Sequence, residues 1–196
     1  MSPRRHAWLV ALALLLASCG GGGPWQLKDI KGVVPDLAFN LADDSGRKVS
    51  AADYRGEVVL LFFGYTNCPD VCPTTLIKLS GALKRMGEAA QGVRVLFVTV
   101  DPRRDTLEVL HRYVRAFGTR IAGLRGSQAE LHALAKRYRI SYSYGEPDAS
   151  GDYVVTHSSA VFVFDAAGRA RLMVLPDTGE KAIAEDLARL LAERRE

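Results

Sequence analysis

Two cysteines, Cys68 and Cys72, lie four positions apart in the segment GYTNCPDVCPTT (64–75), and a proline follows each of them. On a helical turn this spacing places two side chains on one face, with Cβ atoms about 5–6 Å apart. Such a pair can form a disulfide, act as a redox dithiol or supply two thiolates to one metal ion. An inert structural disulfide is the least favoured, because so short a loop removes little entropy from the unfolded chain.

Strand and hairpin patterns surround these cysteines. The continuous apolar run Val58–Phe63 predicts a strand that is buried on both faces of a sheet, and the largely apolar segment Val93–Val100 predicts a second buried strand. The turn-rich sequences DDSG (43–46) and DAAG (165–168), each flanked by apolar residues, predict two β-hairpins. The cysteine segment follows directly on the first buried strand.

Four apolar stripes with helical spacing predict helices, the first of which starts after Pro73. Capping-box sequences at 105–108 and 127–130 predict the starts of the second and third helices, and the fourth lies near the C-terminus. The order hairpin, βα, βα, helix, hairpin, helix predicts an α/β fold, a thioredoxin-like sandwich. Its central mixed β-sheet is flanked by helices and carries an N-terminal β-hairpin. Because functional groups of such sheets gather beyond the carboxyl ends of the strands, we expect the cysteines to lie in the functional site.

A metal ion held by two thiolates needs a further donor, and the chain has four histidines. His6 lies in the N-terminal segment discussed below, and the helical patterns around His111 and His132 predict solvated positions. His157 instead precedes a buried strand in YVVTHSSAVFVFD (153–165). In thioredoxin-like chains this segment packs against the cysteine motif and usually carries a proline, which residues 151–175 lack. We therefore predict His157 as the third ligand.

Charged residues near the predicted site are weaker candidates. Asp70, between the cysteines, and Asp101, after the second buried strand, are predicted to adjust the ligands without binding the metal. Ordinary roles at a helix N-terminus and in an Asp-Pro turn are equally compatible with them. Asp105 is interpreted as a helix cap, and Arg103 and Arg104 as solvated loop charges.

Three segments, YTNCPDVCPTTL, TVDPRRDT and VTHSSAVFVFD, resemble the signature segments of the Sco (SenC-type) family, which assists copper insertion into cytochrome c oxidase. The resemblance extends over about residues 35–191. It implies that Cys68, Cys72 and His157 bind copper, as Cu(I) or Cu(II), with one ion per chain. Asp101 matches the family's acidic residue after the second strand. The resemblance also implies cytochrome c oxidase subunit II as a partner, together with a copper donor protein and a thiol reductant.

The chemistry of these three side chains agrees with copper. Two thiolates and an imidazole form a soft site of low coordination number, for which zinc is the competing ion. Thiolates satisfy Cu(I), whereas Cu(II) benefits from the imidazole. Oxidation of Cys68 and Cys72 to a disulfide abolishes the site, so we expect the redox state of the pair to control metal loading. We also expect the helix dipole to favour the thiolate forms.

Two functions of different classes follow from these residues. The first is a metallochaperone, rather than an enzyme, that delivers copper to the binuclear copper site of oxidase subunit II. The alternative is a thiol–disulfide oxidoreductase that reduces the cysteines of that or another extracytoplasmic client. His157 and the missing proline count against the alternative as a general oxidoreductase.

The N-terminus resembles a bacterial lipoprotein signal. Arg4 and Arg5 precede an apolar run, Ala7–Ala17, that is too short to cross a bilayer of roughly 30 Å. The sequence LASC (16–19) resembles the box in which the cysteine becomes lipidated. We predict a signal peptide at 1–18, a lipid-anchored glycine-rich tether at 19–35 with the lipid on Cys19, and the Sco domain at 36–196. Such a protein lies outside the cytoplasm, on the outer face of the bacterial inner membrane.

Composition is that of an ordinary globular domain, with 48% hydrophobic and 24% charged residues in a chain of 196. The formal net charge is +4. Removal of Arg4 and Arg5 with the signal peptide lowers this charge further. So small a charge gives no reason to expect a nucleic acid as a partner.

Overall fold

The computed structural model describes residues 23–193. The predicted signal peptide, Cys19 and the first glycines of the tether lie outside the described residues. Within residues 23–193, no helix is both long and apolar enough to cross a membrane.

Within residues 23–193, ten strands form two sheets. They are β1 (Lys28–Asp29), β2 (Asn40–Asp43), β3 (Lys48–Ser50), β4 (Val58–Gly64), β5 (Val93–Thr99), β6 (Ile121–Arg125), β7 (Tyr142–Tyr144), β8 (Val155–His157), β9 (Val161–Phe164) and β10 (Ala170–Val174). The main sheet has eight strands in the order β1–β10–β9–β4–β5–β6–β2–β3, and β7 pairs with β8 in a separate sheet. The main sheet is mixed, because β4, β5 and β6 are parallel whereas the other pairings are antiparallel.

The centre of the main sheet is formed by the two apolar runs. All seven residues of β4 are buried, and β5 pairs with it in parallel from Val58 opposite Val93 to Gly64 opposite Thr99. Strands with both faces covered need mostly apolar sequence rather than alternation, and β5 departs from this only at Arg94 and Thr99. The carboxyl ends of β4 and β5 therefore reach the same edge of the sheet, and the cysteine loop starts there.

Four α-helices cover the sheet: α1 (Val71–Met86), α2 (Leu107–Arg115), α3 (Gln128–Arg137) and α4 (Glu180–Glu193). α1 packs against α4, and α2 packs on β6. Tyr138, directly after α3, contacts the rings of Phe63 and Phe162, whereas Phe97 contacts Tyr113 of α2. Since alternate strand residues face opposite sides, α3 covers one face of the sheet and α2 the other.

The predicted α/β sandwich is confirmed, including the N-terminal hairpin β2–β3 and the later hairpin β9–β10. Three features were missed in the sequence. β6 is short and contains Gly123, where a Cβ atom would meet the side chain of Leu110, so its pattern is weak. The β7–β8 hairpin is largely exposed and therefore lacks an apolar run. β1 has only two residues.

The N-terminal part of the described chain packs onto the domain. Both backbone N–H groups of Gln26 and Leu27 donate to one carboxylate oxygen of buried Asp186, at 2.8 Å each. β1 then joins the edge of the sheet next to β10. Residues 28–29, which we predicted as part of the tether, are thus strand residues of the domain.

Candidate metal centre

The cysteine loop connects β4 to α1. After Gly64 the chain makes a turn in which the N–H of Cys68 donates to the carbonyl of Tyr65 (3.2 Å). Pro69 disfavours helical backbone at Cys68, and α1 begins only at Val71. Cys68 therefore lies in the loop. The spacing alone predicted that Cys68 shares a helical turn with Cys72, and the structure differs from this prediction. Pro73 falls in the first turn of α1, where its missing N–H leaves no helical hydrogen bond unmade.

Cys72 lies in the hydrophobic core, with a fully buried side chain. Its sulfur occupies space next to Gly64. A Cβ atom on Gly64 would lie 2.7 Å from this sulfur and 2.6 Å from Cε2 of Phe97. The absence of a side chain at the end of β4 thus determines where the sulfur of Cys72 can lie.

The two cysteines are free thiols, and a hydrogen bond connects them. The N–H of Cys72 is one of the N-terminal donors of α1 without an intrahelical acceptor, and it donates to Sγ of Cys68 at 3.3 Å. Cys68 is only partly buried. One sulfur is therefore partly open to solvent and the other is enclosed beneath it.

His157 is the last residue of β8 and approaches Cys72 from the hairpin. Its Nε2 lies 3.2 Å from Sγ of Cys72, and its Nδ1 lies 3.0 Å from the carbonyl oxygen of Ser158. Because a carbonyl can only accept, Nδ1 carries the proton and the lone pair on Nε2 faces the sulfur. The ring of Tyr65 contacts the imidazole edge-on, with centroids 5.8 Å apart.

Cys68, Cys72 and His157 therefore form one cluster, with their ligand atoms all within 4.8 Å of one another. Within residues 23–193 it is the single group of three or more His, Cys, Asp or Glu side chains placed to hold a metal ion. Two sulfurs and an imidazole nitrogen fit a soft ion of low coordination number.

The two histidines predicted to be solvated lie elsewhere. His111 pairs with Asp44 through Nδ1 (2.6 Å), and the ring of His132 lies against Tyr142.

Burial controls protonation in the metal-free centre. It raises the pKa of the Cys72 thiol strongly, and the N–H of Tyr65 opposes this shift only in part. Our expectation that the helix dipole would favour the thiolate is therefore wrong for Cys72. Burial also lowers the pKa of His157, which keeps the imidazole neutral and its lone pair available at neutral pH. A metal ion that binds here must displace a thiol proton.

Asp105 holds the cysteine loop and is not the cap of α2. The cap is Thr106, whose hydroxyl accepts from the N–H of Val109. The buried carboxylate of Asp105 instead accepts from the N–H and hydroxyl of Thr66 and from the hydroxyl of Thr99. Burial raises its pKa, and these hydrogen bonds oppose the shift. Its hydrogen bonds join the turn before Cys68 to the end of β5.

Asp101 and Arg104 are more buried than their positions in a charged loop suggested. Asp101 is fully buried and accepts from the hydroxyl of Tyr153 (2.8 Å) and from Nε of Arg104. Arg104 is thus not a solvated loop charge, since its guanidinium also stacks on the ring of Tyr153 at 3.8 Å. Asp70, by contrast, is exposed and accepts from the hydroxyl of Thr74.

Three residues of the site were missed in the sequence: Gly64, Tyr65 and Tyr153. Gly64 and Tyr65 directly follow the apolar run Val58–Phe63 and precede the cysteines. This position in the sequence was the signal that could have identified them as residues of the site. Tyr153 gives no local signal, because its partner Asp101 is 52 positions away.

Comparisons with known proteins agree with this geometry. The family model described as SCO1/SenC matches residues 31–192. The mitochondrial SCO2 homolog of Bos taurus is 44% identical over 133 residues, which are 66% of this chain and 50% of that protein. The chain spans about half the length of the curated relatives that it matches.

Two solved structures match over nearly their whole length and over most of this chain. The copper-bound structure of ScoI from Bradyrhizobium japonicum is 34% identical, with a TM-score of 0.74 over 80% of this chain and 99% of that one. The solution structure of apo Sco1 from Thermus thermophilus is 36% identical, with a TM-score of 0.72 over 88% and 99% of the two chains.

The substitution Gly64→Ala tests the space occupied by the sulfur of Cys72. We expect it to lower the free energy of unfolding of the reduced protein by about 1–3 kcal/mol, because the new methyl group overpacks a closed region. Denaturant unfolding measures the change. Gly179→Ala is the matched control, since nothing lies within 4 Å of its added Cβ, and should change stability by less than about 0.5 kcal/mol. Equal stability of both variants would contradict the described packing.

The two thiols should differ in reactivity. In the reduced, metal-free protein, Cys68 should react with iodoacetamide at least about tenfold faster than Cys72, whose sulfur is buried and whose thiol pKa is raised. Mass spectrometry of timed samples measures both rates. In urea the two rates should become similar. Equal rates in the folded protein would show that the sulfur of Cys72 is accessible.

Proposed function

The chain belongs to the SCO1/SenC family, and we propose that it binds copper through Cys68, Cys72 and His157 and delivers it to the binuclear copper site of cytochrome c oxidase subunit II. The observation that carries this proposal is the convergence of two sulfurs and one unprotonated imidazole nitrogen within 4.8 Å. Copper prefers this donor set, and a relative of 34% identity has been solved with copper bound.

Each ligand has a distinct part in loading. Partly exposed Cys68 is the first thiol that an incoming ion meets, and Cys72 then gives up its proton to complete the pair. The neutral imidazole of His157 adds a nitrogen donor without losing a proton, since its lone pair already faces the site. Cu(I) is satisfied by the two thiolates, whereas Cu(II) gains most from the nitrogen.

Thiol oxidation controls loading in this proposal. Formation of the Cys68–Cys72 disulfide passes two electrons to an oxidant and releases two protons, and it removes both sulfur ligands. A dithiol reductant must return the two electrons before copper can bind again. A copper donor protein and such a reductant are therefore proposed partners, together with oxidase subunit II.

We place the protein outside the cytoplasm, tethered through lipid on Cys19 to the outer face of the inner membrane. The sequence LASC and the glycines after it support this placement. Gln26 and Leu27 then join the tether to the domain through their hydrogen bonds to Asp186.

Thiol–disulfide exchange with a client is the second candidate function. The asymmetry of the pair favours it, because the sulfur of Cys68 is partly exposed and open to a client disulfide, whereas the sulfur of Cys72 is buried and placed to resolve a mixed disulfide. In this role His157 would be dispensable, whereas copper delivery needs it.

Anaerobic copper titration of the reduced domain tests the proposed function. The wild type should bind one copper ion per chain more tightly than about 1 μM and show thiolate-to-copper absorption. Cys68→Ser and Cys72→Ser should lose this absorption. His157→Ala should weaken Cu(II) binding at least about tenfold, because the nitrogen donor is lost. His132→Ala, an exposed histidine outside the site, is the control.

Two results would overturn this proposal. One is a wild-type affinity weaker than micromolar. The other is unchanged Cu(II) binding by His157→Ala. If that variant also reduced a client disulfide at the wild-type rate, the oxidoreductase function would be favoured instead.

A further inference from the structure

The strand that carries His157 is not part of the main sheet. β8 pairs with β7 only, with Tyr142 opposite His157 and Tyr144 opposite Val155. The backbone hydrogen bonds of the main sheet position β4 and the start of the cysteine loop. They therefore do not position the imidazole of His157. A two-stranded hairpin alone is marginally stable in water. The 3.2 Å approach of Nε2 to the sulfur of Cys72 must depend on side chains that connect the hairpin to the domain.

One of these connections reaches a buried charge and is made by Tyr153, four residues before His157. Its hydroxyl donates to Oδ1 of Asp101 at 2.8 Å, and Asp101 is fully buried beyond the end of β5. A hydrogen bond to an ionised carboxylate is roughly twice as strong as one between neutral groups. Tyr153 thus attaches the hairpin to the same edge of the sheet from which the cysteine loop leaves.

Arg104 completes this attachment from the other side of the carboxylate. Its Nε donates to Oδ2 of Asp101, and its guanidinium carbon lies 3.8 Å from the centre of the Tyr153 ring. It also forms an ion pair with Asp152, the residue before Tyr153. Only about a fifth of the Arg104 side chain is exposed (22%), so solvent screens these interactions less than at an open surface.

Further contacts support the hairpin without charge. The hydroxyl of Tyr144 donates to the carbonyl of Val100 at 2.6 Å, and the N–H of Val155 donates to the hydroxyl of Tyr65 at 3.3 Å. The side-chain amide of Gln128 in α3 donates to the hydroxyl of Tyr142 and accepts from that of Tyr144, and the side chain of Val155 lies in the core. None of these contacts involves an ionised group, so the Asp101 carboxylate is the strongest of the hydrogen-bonding partners.

We propose that Tyr153 and Arg104 are positioning residues that, through Asp101, hold the β7–β8 hairpin closed and keep His157 within reach of the two sulfurs. Opening of the hairpin would remove the imidazole but leave Cys68 and Cys72 in place, which changes a three-donor site into a dithiol site. The inference about copper rests on the proposed function, whereas the inference about the hairpin does not.

The substitution Tyr153→Phe removes one hydroxyl and keeps the ring under Arg104. In reduced, metal-free protein, we expect amide hydrogens of residues 142–158 to exchange about tenfold faster, because the closed hairpin loses a charge-assisted hydrogen bond. Hydrogen–deuterium exchange with mass spectrometry measures this. The melting temperature should fall by less than about 4 °C, since the main sheet is untouched. Arg104→Gln, which frees the other carboxylate oxygen, should accelerate exchange in the same peptides.

Copper provides the second readout. Tyr153→Phe should weaken Cu(II) binding by up to about tenfold and reduce the nitrogen coupling in the electron paramagnetic resonance spectrum, while Cu(I) affinity changes much less, because only the closed hairpin supplies the imidazole. Tyr54→Phe is the matched control, because Tyr54 is half-buried against Phe39 and lies apart from the cysteines and the hairpin. It should leave both affinities and the hairpin exchange unchanged.

Wild-type exchange rates at 142–158 in both Tyr153→Phe and Arg104→Gln would overturn the positioning role. An equal loss of Cu(I) and Cu(II) affinity in Tyr153→Phe would also overturn it, because the defect would then include the dithiol. Faster exchange in the variants, combined with a wild type that binds no copper, would support the positioning role and overturn the proposed function.

Discussion

The sulfur of Cys72 fills the space that Gly64 leaves at the end of β4, and the geometry of the site depends on this contact. Because the sulfur is buried there, α1 must begin directly above the sheet edge, and its free N–H reaches Sγ of Cys68. The imidazole of His157 approaches the sulfur of Cys72 from the β7–β8 hairpin, outside the main sheet. Burial also keeps the thiol protonated until a metal ion replaces the proton.

Two carboxylates after β5 connect the separate parts of the site. Asp105 holds the turn before Cys68, and Asp101 holds the hairpin that carries His157. These two carboxylates stand four positions apart in one chain segment. This segment thus contacts both the dithiol loop and the hairpin that carries the imidazole. The cysteine side is built into the main sheet, whereas the histidine side is attached by side chains. On our proposal, this difference lets the imidazole leave the site while the two sulfurs stay.

The sequence was sufficient to predict the α/β sandwich, because long apolar runs predict buried strands. It was also sufficient to propose the three candidate ligands, since His157 alone among the four histidines precedes such a run. It was insufficient for Asp105 and Arg104, whose local patterns suggested a helix cap and a solvated charge. Their actual partners, Thr66, Thr99 and Tyr153, come together only in the folded chain. The short strand β6 and the exposed hairpin lack the apolar periodicity on which strand prediction depends.

X-ray absorption spectroscopy of the dithiol protein loaded with Cu(II) tests most sharply whether the three side chains bind one copper ion. Our account predicts two sulfur ligands and one imidazole nitrogen around copper in the wild type, and two sulfur ligands without the imidazole signal in His157→Ala. A wild-type spectrum without two sulfur ligands, or one that His157→Ala leaves unchanged, would contradict it.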